Sequence, residues 1–267
     1  MRNKSVIITG ASEGIGRELA KRAAALGARL VLAARNEKKL AEVVSDCEAL
    51  GATAVAVPTD VTSEQDCRSL IDQALSRFGN VDILINNAGI SMSARFDCVE
   101  DLSIFERLMR VNYLGTVYCT YHALPHLKRS RGLIVGVSSL QGKLGFPLST
   151  GYAASKHAMQ GFLDSLRIEL RPEVGVLIVS PGPVDTRIHA RKLVGSGQVE
   201  VSEQDFHFKS MPVERAATQI IQAVIHRRRE LVMTWGGKAA VWLKPFVPGF
   251  VDSQVETAVA RFYAQDD

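Results

Sequence analysis

Short apolar runs alternate with longer stretches in which apolar residues recur every three or four positions. The runs at 5–9, 29–34, 53–58, 83–86, 133–138, 176–180 and 231–234 carry Val, Ile and Leu on both parities. Strands covered on both faces have this pattern, because neither side of the pleat meets water. Helical spacing covers 15–26, 37–50, 64–78, 102–127, 152–170 and 213–226. Gly27 and Gly51 stand just past two of these helices, where a left-handed cap is wanted. Such alternation predicts a parallel sheet with helices on both faces.

Two stretches break the rhythm. Residues 186–211 hold Gly, Ser and charged residues with weak periodicity and read as a mobile excursion beside a substrate. The tail, 235–267, is apolar and holds Trp242, Phe246, Phe250 and Phe262, but Pro245 and Pro248 interrupt it. It reads as packing, a lid over the site, a subunit contact or, as the lesser reading, a peripheral membrane contact.

The chain has 267 residues, 46% hydrophobic and 22% charged, which fits one large-cored domain spanning 1–267. A net charge of +4 from interspersed charges suits an anionic small molecule and does not argue for nucleic acid. The four cysteines form no CxxC, so reduced thiols in a cytoplasmic setting are expected. No secretory signal and no spanning segment are expected. His122 and His126 have metal-ligand spacing but no third ligand nearby; they read as a helix end disturbed by Pro125, and no metal is expected.

Gly10, Ser12, Glu13, Gly14, Ile15 and Gly16 lie in a Gly-rich turn between the first strand and the first helix. Glycines there admit bare backbone to a pyrophosphate, and the helix start supplies oriented N–H groups. No Gly-Lys-Ser/Thr follows, so a P-loop is excluded. After the second strand an acid would hold a ribose 2′-hydroxyl; this chain has Arg35, suited to a 2′-phosphate. NADP(H) is therefore expected, with NAD(H) as the alternative and Arg17 as a helper. Asp60, beside Val61, reads either as an adenine contact or as a turn acid.

Tyr152 and Lys156 are four apart on a predicted helix and share a face. An ammonium beside a phenol would lower the tyrosine pKa toward neutrality, fitting it to exchange a proton with a carbonyl or alcohol oxygen. Ser139 ends the fifth strand and would hold that oxygen. Asn112 sits inside a long helix, where asparagine is not favoured, and reads as a holder of a water or a backbone carbonyl. Asn87, Ala88 and Gly89 end the fourth strand at the same edge.

In order, TGASEGIG, DVT, NNAG, VNYLG, VSS, YAASK and PGPVDT resemble the short-chain dehydrogenase/reductase family over nearly the whole chain. The surrounding sequence is similar to the branch of 11β-hydroxysteroid dehydrogenases and 3-ketodihydrosphingosine reductases. The resemblance implies a single Rossmann-type, doubly wound α/β domain with a seven-stranded parallel sheet of order 3-2-1-4-5-6-7. It implies Tyr152 as general acid/base, Lys156 on the nicotinamide ribose, Ser139 orienting the substrate and Asn112 keeping a relay water. Pro181, Gly182, Val184 and Thr186 would enclose the nicotinamide; Asn87, Ala88 and Gly89 would line the cofactor. A homodimer or homotetramer is expected, with the helices 102–127 and 152–170 as its faces. The small-molecule substrate is expected to be an apolar ketone or secondary alcohol, such as a keto lipid or steroid. A 3-oxoacyl thioester is the alternative, and a silent nucleotide-binding regulator is the reading from another class.

Overall fold

The computed structural model describes residues 1–186, 188, 191–201 and 210–263, the side chains of 261–263 excepted. The excursion is therefore described only in part, and Phe262 lies outside the described side chains. The strands are β1 Ser5–Thr9, β2 Arg29–Ala34, β3 Thr53–Pro58, β4 Ile83–Asn86, β5 Ser91–Met92, β6 Leu133–Val137, β7 Gly175–Ser180, β8 Arg191–Leu193, β9 Val199–Val201 and β10 Glu230–Val232. The helices are α1 Gly14–Ala25, α2 Glu37–Ala49, α3 Glu64–Phe78, α4 Ser103–Met109, α5 Gly115–Ser130, α6 Thr150–Glu169, α7 Val213–Ile225, α8 Trp235–Leu243 and α9 Pro248–Tyr263.

Seven strands make one parallel sheet in the order β10-β7-β6-β4-β1-β2-β3. This is the expected succession, with β5, β8 and β9 skipped. Alternate residues of each strand feed opposite cores, which explains the apolar residues on both parities. Val6 and Ile8 of β1 pack with Leu19 and Ala20 of α1, Leu40 of α2 and Ile220 of α7. Ile7 between them packs with Leu70 of α3, Cys119 and Ala123 of α5 and Leu163 of α6.

Local chemistry sets the ends. Asn36 caps α2 by accepting from Lys39 N at 3.0 Å, and Ser63 caps α3 by accepting from Asp66 N at 3.2 Å. Gly27 and Gly51 take φ of 73° and 83°, the left-handed conformation their positions demand.

Three departures matter for the site. The expected helix 102–127 is broken by a π turn, Arg110–Leu114, that joins α4 to α5. Past it, α5 continues through Pro125 to Ser130. Pro125 is exposed, so the hydrogen bond it forfeits lies on the water side and the helix need not end. The excursion contains two strands: β8 pairs parallel with β5 and antiparallel with β9 to make a second, three-stranded sheet. Its ends are tied by Asp185 N to Met211 O at 3.0 Å and Met211 N to Pro183 O at 2.9 Å. The tail, expected to be broken by proline, folds as two helices separated near Pro245, with Pro248 opening α9.

Candidate active site

Because the large sheet is parallel, the loops after β1, β2, β3, β4, β6 and β7 share its carboxyl edge. The order turns back at β1 and β4, and there the loops part to leave a cleft of about 1140 Å³. The cleft is lined by Gly10, Ser12, Glu13, Gly14 and Ile15, by Arg35, Asp60 and Val61, and by Asn87, Ala88 and Gly89. Ser139, Tyr152 and Lys156 line it too, as do Pro181, Gly182, Val184 and Thr186. Gly16 and Asn112 do not; both act from behind the wall.

The phosphate loop fits an anion by what it lacks. Gly10 and Gly14 have φ of 64° and 55°. A side chain at Gly10 would lie 2.9 Å from Ala88 Cα, and one at Gly16 would overlap the Gly10 carbonyl oxygen. α1 starts with no side-chain cap on its N–H groups and no acid in its first turn. Oriented donors are thus left facing the cleft, where a pyrophosphate could accept from them. The loop is held in register by β4: Asn87 Nδ2 donates to Thr9 O at 3.0 Å and Gly10 O at 3.2 Å, and Thr9 Oγ1 accepts from Asn87 N and Ala88 N at 3.0 Å.

Beyond the loop, Arg35 has no hydrogen-bond or ion-pair partner among the described residues. Arg17 is not beside it. Its Nη2 pairs with Asp46 Oδ2 at 2.8 Å, which ties α1 to α2 and takes it from the cleft. Lys39 stands in its place, bonded to Glu13 Oε2 at 2.8 Å, while Arg191 approaches Glu13 Oε1 at 3.6 Å. Asp60 is a turn acid as well as a lining residue, because its Oδ1 accepts from both Thr62 N and Thr62 Oγ1 at 2.9 Å.

At the other end, Tyr152 is 7% exposed and Lys156 2%. The Ser139 hydroxyl faces the Tyr152 phenol and, as cap of the following turn, accepts from Gln141 N at 3.1 Å. Lys156 Nζ donates to Val137 O at 3.0 Å and lies 5.8 Å from the centre of the Tyr152 ring. Here the expected electrostatics are reversed. Burial pushes the Tyr152 phenol up to about 12, against a smaller lowering by Ser139, and burial pulls Lys156 down to about 8. Desolvation sets the direction of both shifts, because each group is buried away from water. Asn112, fully buried in the π turn, accepts from Ile90 N at 2.9 Å and donates to Ile90 O at 3.0 Å and Ser155 Oγ at 2.9 Å. The misfit of an asparagine in a helix is thus resolved: it ties the loop after β4 to α6.

The short chain dehydrogenase family model matches residues 4–194, most of the chain and most of the elements that shape this cleft. The chain belongs to the short chain dehydrogenase family. It is 38% identical over 251 residues to an 11-beta-hydroxysteroid dehydrogenase A of Sesamum indicum, with 92% of this chain and 72% of that protein aligned. It is 46% identical over 183 residues to an 11-beta-hydroxysteroid dehydrogenase-like 4A of Arabidopsis thaliana, covering 68% of this chain but only 61% of that protein's length. A solved short chain dehydrogenase/reductase of Burkholderia phymatum, in complex with NAD, superposes with TM-score 0.83 at 28% identity, over 93% of this chain and 95% of that one. An alcohol dehydrogenase of Thermococcus sibiricus, complexed with 5-hydroxy-NADP, gives 0.76 at 25% identity, over 87% and 96%.

In this short chain dehydrogenase part of the cleft wall comes from residues that carry no motif. Ile90, Phe146, Leu193, Val199 and Val201 line it, with Arg107 and Arg110 at α4 and the π turn. Leu193, Val199 and Val201 come from the small sheet, which the weak periodicity of the excursion conceals. Phe146 connects the cleft to the tail, because it and Leu144 pack against Val241 and Leu243 of α8 and Val251 and Val255 of α9. The outer face of the tail leaves Trp235, Trp242, Phe246 and Phe250 exposed. No helix of the described residues is long and apolar enough to cross a membrane.

Proposed function

We propose that this short chain dehydrogenase transfers a hydride between NADP(H) and an apolar ketone or its secondary alcohol, with Tyr152 as general acid/base. The observation that carries this reading is that Ser139, Tyr152 and Lys156 share one cleft with an anion-ready glycine loop. A bound nicotinamide would supply or accept the hydride. The rest falls to the chain. Ser139 holds the carbonyl oxygen beside Tyr152, and Tyr152 Oη gives its proton to that oxygen in reduction or takes it back in oxidation. Burial keeps the phenol protonated at neutral pH, the form that can donate a proton in reduction. Lys156 supplies positive charge as the phenolate develops and would hold ribose hydroxyls of the bound cofactor.

Arg35 supports the phosphorylated cofactor, since an unpaired guanidinium at the end of β2 matches a 2′-phosphate. Replacing it (Arg35→Asp) is expected to move the NADP(H)/NAD(H) preference about ten- to hundredfold toward NAD(H). Steady-state rates with both cofactors check this, and an unchanged ratio defeats the assignment. The apolar wall, together with relatives named as hydroxysteroid dehydrogenases, supports an apolar substrate. A screen of steroids, 3-ketosphingoid bases, 3-oxoacyl thioesters and simple aldehydes, read at 340 nm, tests it. Reduction of small polar ketones alone would overturn the substrate class, and no turnover with any carbonyl would favour a silent regulator. Exposed Tyr121 on α5 and Ile168 on α6 support self-association through those helices. Light scattering is expected to report a dimer or tetramer, and a monomer at micromolar concentration would oppose it.

A further inference from the structure

α6 carries a third polar group toward the site. Gln160 lies one turn beyond Lys156 and two beyond Tyr152, and it is only 5% exposed. Its Nε2 donates to Ser138 Oγ at 2.9 Å and to the Ser139 carbonyl at 3.2 Å, with Ser180 Oγ at 3.5 Å. An amide nitrogen has two protons, so the two shorter bonds take one each and the third contact is shared. Ser138 Oγ passes the connection back to α6 by donating to the Lys156 carbonyl at 3.4 Å. One buried amide therefore joins the end of β6, the end of β7 and the helix that bears Tyr152 and Lys156.

Space has been kept for it. A side chain at Gly142 would overlap Gln160 Nε2 and stand 2.6 Å from Ser138 Oγ and 2.9 Å from the Lys156 carbonyl. The consequence falls on Ser139, the extended last residue before the turn Leu140–Gly142. Its carbonyl is fixed from one side by Gln160 and its hydroxyl faces Tyr152 on the other. Release of that carbonyl would let the backbone at Ser139 shift and carry its hydroxyl with it, and misplacement of about 1 Å costs on the order of a hundredfold in rate.

We propose that Gln160 is a positioning residue for the reaction, holding the Ser139 peptide in the orientation that aims its hydroxyl at Tyr152. The proposal rests on the catalytic reading of Ser139 and Tyr152 given above. The test is a double-mutant cycle in the full chain with NADPH and whichever carbonyl the screen finds, using Q160M, S139A and the pair. Q160M is expected to lower kcat about ten- to hundredfold and leave cofactor affinity within about threefold. In the S139A background it is expected to change kcat by less than about twofold, because the group it positions is gone. Q160E adds a signature that a purely structural role would not move. A carboxylate cannot donate to the Ser139 carbonyl but a carboxylic acid can, so its kcat relative to wild type should recover as pH falls. That titration is made within one folded protein and decides the matter if Q160M fails to bind cofactor. A kcat for Q160M within about threefold of wild type, multiplicative losses in the cycle, or a Q160E ratio flat in pH would overturn the proposal. A kcat unchanged in S139A itself would instead sink the catalytic reading, and the proposal with it.

Discussion

Tyr152→Phe is expected to lower kcat for carbonyl reduction by about 10²- to 10⁴-fold, the range lost when a positioned general acid is removed. Phenylalanine fills the same buried space, so the ring packing with Met92, Ile104 and Leu108 survives. Only the hydroxyl and its contact with Ser139 go, at a cost of about 1 kcal/mol of stability at most. The variant should therefore fold and bind NADPH within about threefold of wild type while turnover collapses. Single-turnover absorbance at 340 nm with excess enzyme separates binding from chemistry. A kcat within about tenfold of wild type would mean that the proton comes from elsewhere.

Lys156→Met should split function from stability. Activity is expected to fall by about 10²-fold or more, because the phenolate loses the ammonium 5.8 Å from its ring. Stability should move the other way. Burial holds Lys156 near 8 in the folded chain against 10.5 in the open one, so the unfolded state binds its proton more tightly. That costs the fold about 3 kcal/mol below pH 8, and the cost fades as pH rises from 8 toward 10.5. Methionine removes the cost but leaves the Val137 carbonyl without its 3.0 Å donor, worth about 1 kcal/mol. The net gain of about 2 kcal/mol should raise Tm by several degrees at pH 7, and the gain should shrink between pH 8 and 10.5. A lower Tm at pH 7, or a gap that widens with pH, would contradict this account of Lys156. The same group gives the wild type a checkable profile: reductive kcat should decline above about pH 8, as the ammonium beside Tyr152 loses its proton.

The tail shows how packing assigns a role that composition leaves open. Its apolar residues read equally as lid, interface or membrane contact. In the fold, α8 and α9 cover Leu144 and Phe146, and Phe146 lines the cleft. The inner face of the tail therefore supports the cleft wall, whatever meets the exposed aromatics outside.

The amino-acid sequence by itself determined the sheet, the loops at its carboxyl edge and the identity of fewer than half of the lining residues. Those properties are written in local terms: apolar residues on both parities, glycine where φ is positive, and caps at Asn36 and Ser63. The tertiary structure alone decided what each polar group spends its bonds on. Arg17 has the chemistry for a phosphate but is taken by Asp46. Asn112 is misplaced by helix propensity and becomes a brace only because Ile90 and Ser155 come within reach. Gln160 completes a stripe with Tyr152 and Lys156 that spacing alone could have marked, yet nothing local says that the ends of two strands converge on it. The pKa shifts of Tyr152 and Lys156 belong to the same class. The four-residue spacing brings the pair together, but depth of burial sets the direction of each shift, and burial is a property of the assembled core.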